Sequence, residues 1–242
     1  MTDRKSPALR DQPARSSATE IDAFLGSARQ VAPVDGRTPR LVFALDATMS
    51  RQPTWDVASE VQAGMFDAAA AIGGLSVQLV YFRGFGECRS SRWVADPSAL
   101  GELMGKIECR SGSTQIGRVL AHVSEETARR PVKALVYVGD AVEESMDGLC
   151  STAGQLGLLG VKTFMFHEGG DPVSAAAFSE ISRLTGGASL AFDARAPASL
   201  AALLRAVAAY AAGGASALTR LAARDRDAGR LVAAMPALAG PR

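Results

Sequence analysis

The sequence predicts an α/β domain built on a doubly wound, mostly parallel central sheet, with helices on both faces and one short antiparallel edge strand. Three observations predict it. Short runs from Leu41 onward carry apolar residues on both faces; the segments between them repeat apolar residues at steps of three and four; and the two kinds alternate along the chain. LVFALD (41–46) reads as the first buried strand, and Ala58, Val61, Met65, Ala68 and Ile72 mark one face of the helical segment after it. VQLVYF (77–82) is the second strand. ECRSSRWV (87–94) mixes polar and bulky residues, as an edge strand with a solvated face does, and a helix follows near 97–107. ALVYVG (134–139), KTFMFH (162–167) and SLAFD (189–193) complete the sheet, with helices near 116–129, 149–159, 173–184 and 199–212.

The chain has 242 residues, 48% of them hydrophobic, and 26 Lys+Arg stand against 25 Asp+Glu. That length suffices for a sizeable core. A near-zero net charge disfavours nucleic acid and a membrane surface as partners, because both demand a basic excess. Residues 1–39 read as a largely disordered leader with a short helix, in which Ile21, Phe24 and Leu25 follow the cap residue Thr19. Residues 40–214 form the folded domain, and 215–242 a basic C-terminal helix or tail with Arg220, Arg224, Arg226 and Arg230. The first forty residues carry scattered charges and no apolar segment, so the expected location is cytoplasmic. Three cysteines, Cys88, Cys109 and Cys150, fit reduced thiols. The alanine-rich stretch from Pro197 to Leu218 is interrupted by Arg205 and ends near Gly213-Gly214, which suits a packed helix better than a membrane span.

In a doubly wound sheet ligands bind outside the carboxyl ends of the strands, where the strand order reverses. The first strand runs out into Asp46-Ala47-Thr48-Met49-Ser50, a carboxylate and two hydroxyls at alternate positions. The fourth ends in Val138-Gly139-Asp140, and the polar loop Arg110–Ile116 places Thr114 ahead of a helix. Two carboxylates and several hydroxyls, without His or Cys, form an oxygen-only donor set suited to a hard cation such as Mg²⁺, with Mn²⁺ or Ca²⁺ as variants.

Asp46-x-Thr48-x-Ser50, Thr114 and Asp140 together resemble the metal-ion-dependent adhesion site of von Willebrand factor A domains. There the first motif is usually Asp-x-Ser-x-Ser, and Thr48 keeps the hydroxyl. The resemblance covers roughly residues 40–212. It implies a divalent cation held by Asp46, Thr48, Ser50, Thr114 and Asp140, with one coordination position open to an Asp or Glu carboxylate of another protein. DATMSRQPTWD and VGDAVEE further resemble bacterial cytosolic stand-alone A domains of unassigned role. The expectation is a binding or assembly module and not an enzyme. Two alternatives are weighed against it. A Mg²⁺-dependent phosphohydrolase or phosphotransferase also carries an Asp after strand one, but the acid expected two residues on is Thr48 here, so no general acid/base is evident. An RNA-binding A domain is left open only by the basic ends. Glu143-Glu144 reads as a solvated acidic helix start, His122 and His167 as packing or surface residues, and Trp55 as a core residue.

Overall fold

A computed structural model describes residues 38–70, 72–193 and 196–236. The leader expected over 1–39 lies outside the described residues except for Thr38 and Pro39. Strands β1 (Arg40–Asp46), β2 (Ser76–Arg83), β3 (Glu87–Val94), β4 (Ala134–Gly139), β5 (Lys162–Glu168) and β6 (Ala188–Phe192) form one sheet in the order β3-β2-β1-β4-β5-β6. Every pairing is parallel except β2 with β3. Helices α1 (Gln52–Val61), α2 (Ala63–Ala70), α3 (Pro97–Met104), α4 (Ile116–Arg129), α5 (Met146–Leu158), α6 (Pro172–Thr185), α7 (Pro197–Ala222) and α8 (Arg226–Ala234) pack around it. This is the doubly wound, mostly parallel arrangement with an antiparallel edge strand that the alternation of apolar runs predicts.

Burial follows the pleat. All seven residues of β1 are buried, as a central strand covered on both sides requires. Its odd positions Leu41, Phe43 and Leu45 join a core with α1, α2, α3, α7 and α8, while Val42 and Ala44 join a second core with α4, α5 and α6. β4 divides the same way: Val136 and Val138 on the first face, Leu135 and Tyr137 on the second.

The helical face expected from Ala58 to Ile72 is interrupted at Gln62, which separates α1 from α2. Gln62 is buried and donates its side-chain amide to the carbonyl of Pro97 at 3.0 Å, tying the break to the start of α3. Ala58 and Met65 reach the core, whereas Ile72, past the end of α2, is exposed.

α7 continues beyond Gly214 through a kink at that residue, whose φ of 67° and ψ of −163° suit only glycine. The segment after the kink buries Leu218, and α8 adds Ala228 and Leu231, followed by Met235, so residues expected as a basic helix or tail line the same core as α1–α3. By length and composition alone α7 could cross a membrane, yet half of its most apolar window is buried within the fold.

The amino end of β1 is fixed by a buried ion pair. Arg40 donates to the Glu126 carboxylate and, at 2.8 Å, to the carbonyl of Arg130. Its guanidinium lies 3.7 Å above the Trp93 ring, and Trp93 Nε1 donates to the same Glu126 oxygen at 2.9 Å.

Candidate metal centre

The order of the strands fixes where a site can form. From β1 the chain runs outward to β2 and β3, then returns across β1 to β4, so the loops after β1 and β4 leave the sheet in opposite directions and a crevice opens between them. Leu45 pairs with Val138, which sets Asp46 and the Gly139-Asp140 pair at the carboxyl ends of adjacent strands.

Asp46 is 4% exposed, and its Oδ1 accepts the amide proton of Thr48 at 2.7 Å. Burial pushes its carboxyl up to about 6, with the neighbouring Asp140 charge adding to the rise; the Thr48 amide and hydroxyl and the Arg51 charge oppose it. Met49–Arg51 forms one turn of 3₁₀ helix, closed by Arg51 N–H donating to the Thr48 carbonyl at 2.9 Å. That turn brings the Thr48 and Ser50 hydroxyl oxygens within 3.4 Å of each other.

Thr114 stands in the loop two residues ahead of α4. Its amide donates to Glu143 Oε2 at 2.8 Å, and its hydroxyl accepts from the Glu143 amide at 3.0 Å, so it is bound to the segment that begins at Asp140. The next carboxylate, Glu144, accepts from the amides of Ile116 and Gly117 at 2.5 and 2.8 Å. α4 has no side-chain cap of its own, and Glu144 supplies one from another loop, adding negative charge at a helix amino end where it is favoured. The solvated role expected for Glu143-Glu144 holds for Glu143, which is exposed although it accepts from the Thr114 amide, and is corrected for Glu144, whose carboxylate caps α4 from another loop.

The same segment braces the β2–β3 turn. Ser113 N–H donates to the Gly84 carbonyl at 3.2 Å, the Gln115 amide reaches the carbonyls of Arg83 and Gly84, and Arg118 donates to Gly86. A Cβ on Gly112 would lie 2.3 Å from Gly84 N, so the two backbones meet in a way only glycine permits. At the tip of this braced turn Phe85 is 90% exposed, beside a hollow of about 330 Å³ that Thr114, Arg118 and Glu144 also line.

Sequence reading missed two members of the site. Gly139 pairs with His167, so Asp140 stands across from Glu168, the last residue of β5, and three adjacent strands β1, β4 and β5 each present a carboxylate at this edge. Arg51 lies among them: its Nε is 3.4 Å from Asp140 Oδ2, one terminal nitrogen donates to Glu168 Oε2, and the other donates to the Ser50 carbonyl at 3.1 Å. Thr54 also donates to Glu168 Oε2. The signals were present as a strand end one residue beyond His167 and an arginine directly after Ser50.

The donor set is chemically suited to a hard cation. Asp46, Asp140 and the hydroxyls of Thr48, Ser50 and Thr114 offer oxygen alone, which matches Mg²⁺, Mn²⁺ or Ca²⁺ and not zinc. Two buried polar atoms without hydrogen-bond partners also belong to this neighbourhood: Nε of Arg51 and the hydroxyl of Tyr137, the latter within electrostatic reach of Asp46, Glu144 and Asp140.

The remaining candidates have structural roles. His167 Nε2 is 3.3 Å from the Asp140 carbonyl oxygen and its ring meets Phe178 edge-on; His122 Nε2 is 2.9 Å from Gln78 Oε1. Trp55 is buried against Tyr81, with its Nε1 donating to the Met104 carbonyl. Cys88, Cys109 and Cys150 are free thiols.

Comparison with solved structures agrees with this topology. A von Willebrand factor type A protein from Catenulispora acidiphila superposes with a TM-score of 0.59 at 19% identity, over 73% of this chain and 43% of that one. The fold is that of a von Willebrand factor A domain. The SpRpn10 A domain gives 0.54 at 10% identity over 67% of this chain and 95% of its own, and an aerotolerance-related membrane protein from Bacteroides fragilis gives 0.52 at 17% over 66% and 95%. This chain thus spans less than half of the first of these A-fold proteins and nearly all of the other two. No family model and no curated protein matches the sequence significantly. In this fold the crevice between β1 and β4 lies at the carboxyl ends of the strands, beside Asp46, Asp140 and the loop that carries Thr114.

Proposed function

We propose that the chain is a divalent-cation-dependent protein-binding module and not an enzyme. Asp46, Thr48, Ser50, Thr114 and Asp140 hold Mg²⁺, with Mn²⁺ or Ca²⁺ as substitutes, in the manner of a metal-ion-dependent adhesion site. The observation that carries this reading is the convergence of oxygen-bearing segments from β1, β4 and the start of α4 on the strand-reversal crevice. Bound there, the ion supplies an electrophilic position for an anionic oxygen, the fitting ligand being an Asp or Glu side chain of another protein. Asp46 and Asp140 furnish the charge that retains a divalent ion, while the neutral hydroxyls complete its surroundings without cancelling its attraction for a further carboxylate. Phe85 on its braced turn and the exposed Met49 flank the site with apolar surface for a protein partner. The free thiols support a reducing, cytoplasmic setting.

Isothermal calorimetry with MgCl₂ tests the reading. We expect one site per chain, a rise in melting temperature through binding to the folded state, and loss of both in Asp140→Ala with the fold retained. Absence of heat and of thermal shift at millimolar Mg²⁺ would refute it. Hydrolysis of a generic phosphomonoester that disappears in Asp46→Ala would instead establish an enzyme.

A further inference from the structure

Arg51 lies among the carboxylates of the crevice. Asp46, Asp140 and Glu168 end three neighbouring strands, and the Arg51 guanidinium reaches two of those carboxylates from within a turn fixed by the Thr48 carbonyl. Its side chain is only 11% exposed. The two contacts differ in quality. Toward Glu168 the guanidinium makes a direct hydrogen bond, and Thr54 holds the accepting oxygen from a second direction. Toward Asp140 it has only a 3.4 Å charge contact, and the Nε on that side is buried without a hydrogen-bond partner. A guanidinium forms its strongest carboxylate contacts as short, aligned pairs, and this one forms that contact on the Glu168 side alone.

We infer that Arg51 is a built-in competitor of the divalent cation, anchored to Glu168 and leaning on Asp140, so that metal binding must displace it from Asp140. The inference rests on the metal-binding reading of the site. The positive charge of Arg51 balances the crevice when no ion is bound and repels an ion that arrives. Because its hold on Asp140 is loose, displacement breaks one charge contact and leaves the Glu168 bond in place. Glu168 thereby acts as a positioning residue: it keeps the guanidinium from settling fully on Asp140.

The inference assigns opposite signs to the Arg51 and Glu168 substitutions and a coupling between them, and the coupling is what their charges alone do not give. Mg²⁺ affinity is measured by calorimetry on the full chain, with circular dichroism as folding control. Arg51→Gln is expected to bind Mg²⁺ about two- to fivefold more tightly, the scale of one partly screened charge contact. Glu168→Gln is expected to bind about threefold more weakly or worse, because the freed guanidinium moves onto Asp140. In the Arg51→Gln background the same Glu168→Gln change should cost less, since only the direct attraction of that carboxylate for the ion is then lost. A readout on the unmodified protein accompanies these: the Arg51 Nε–Hε resonance, assigned by its absence in Arg51→Gln or Arg51→Lys, should shift in step with Mg²⁺ saturation. Unchanged or weaker affinity in Arg51→Gln, or an Nε–Hε resonance that stays put at saturation, overturns the inference while leaving the metal site standing. Heat in neither the wild type nor Arg51→Gln overturns both.

Discussion

Thr114 and Glu143 hold each other from both directions: the threonine amide donates to the glutamate carboxylate, and the glutamate amide donates to the threonine hydroxyl. This exchange fixes the direction of the Thr114 oxygen without using its remaining lone pair. Glu143→Ala should therefore weaken Mg²⁺ binding by about tenfold, as loss of a supporting partner to a ligand does. Because Glu143 is exposed, the melting temperature in EDTA should barely move. An equal loss of stability in EDTA would mean that the substitution loosens the fold and not the ligand.

Asp46 sets a pH dependence of the metal-free chain. Its folded-state value of about 6 exceeds its ordinary 3.8, so between these values the folded chain holds more protons than the unfolded one. Stability contributed at this position is greatest below pH 4, falls as pH rises to about 6, and is level above that. The full difference is about 3 kcal/mol by the usual conversion of a pKa shift. Denaturant unfolding in EDTA at pH 4 and pH 7, comparing wild type with Asp46→Asn, should show the asparagine variant gaining relative stability at the higher pH. Parallel pH profiles would contradict the assignment.

At the other end of β1, Arg40→Met removes the partner of a carboxylate that is itself buried. Glu126 keeps Trp93 and Arg129 as hydrogen-bond donors but loses its buried counter-charge. The expected loss is about 3 kcal/mol in urea unfolding. Arg40→Met together with Glu126→Leu should recover much of it, and Mg²⁺ affinity should be unaffected in either variant because the pair lies at the far end of the strand from Asp46.

Two glycine substitutions should act in opposite directions. Gly214→Ala places a side chain at a φ of 67° and should destabilise by about 1–3 kcal/mol. Gly154→Ala, inside α5 with open space around the new methyl, should stabilise by about 0.5–1 kcal/mol. Equilibrium unfolding of both variants decides the matter.

The elements were legible because the domain buries its strands on both faces: a run such as LVFALD has no polar face to confuse with a helix, and the seven residues of β1 coincide with it to within one position. The placement of Asp46 and Asp140 was legible because they sit at strand ends, and that of Thr114 because a polar loop leads there into a helix. What escaped depends on pairing between distant segments. Arg51 and Glu168 are 117 residues apart, and only the β4–β5 register brings Glu168 beside Asp140. Glu144 caps a helix that starts 28 residues earlier, which no local pattern encodes. The break at Gln62 likewise lies within an uninterrupted helical periodicity, and what marks it in the structure is a hydrogen bond to Pro97.

The outer strands bear on how this molecule can meet others. β3, the antiparallel border of the sheet, exposes Arg89, Ser90 and Arg92, so a second strand laid alongside it would have to bring its backbone against two cations. At the opposite border Arg230 of α8 donates to the carbonyl of Ala191 in β6. Both margins are guarded, one by charge and one by cover, and the sheet is poorly suited to growth by strand addition or to fibre-like stacking. Edge-to-edge pairing of two such sheets is thereby disfavoured, even though the interior strands are among the most apolar segments the chain has.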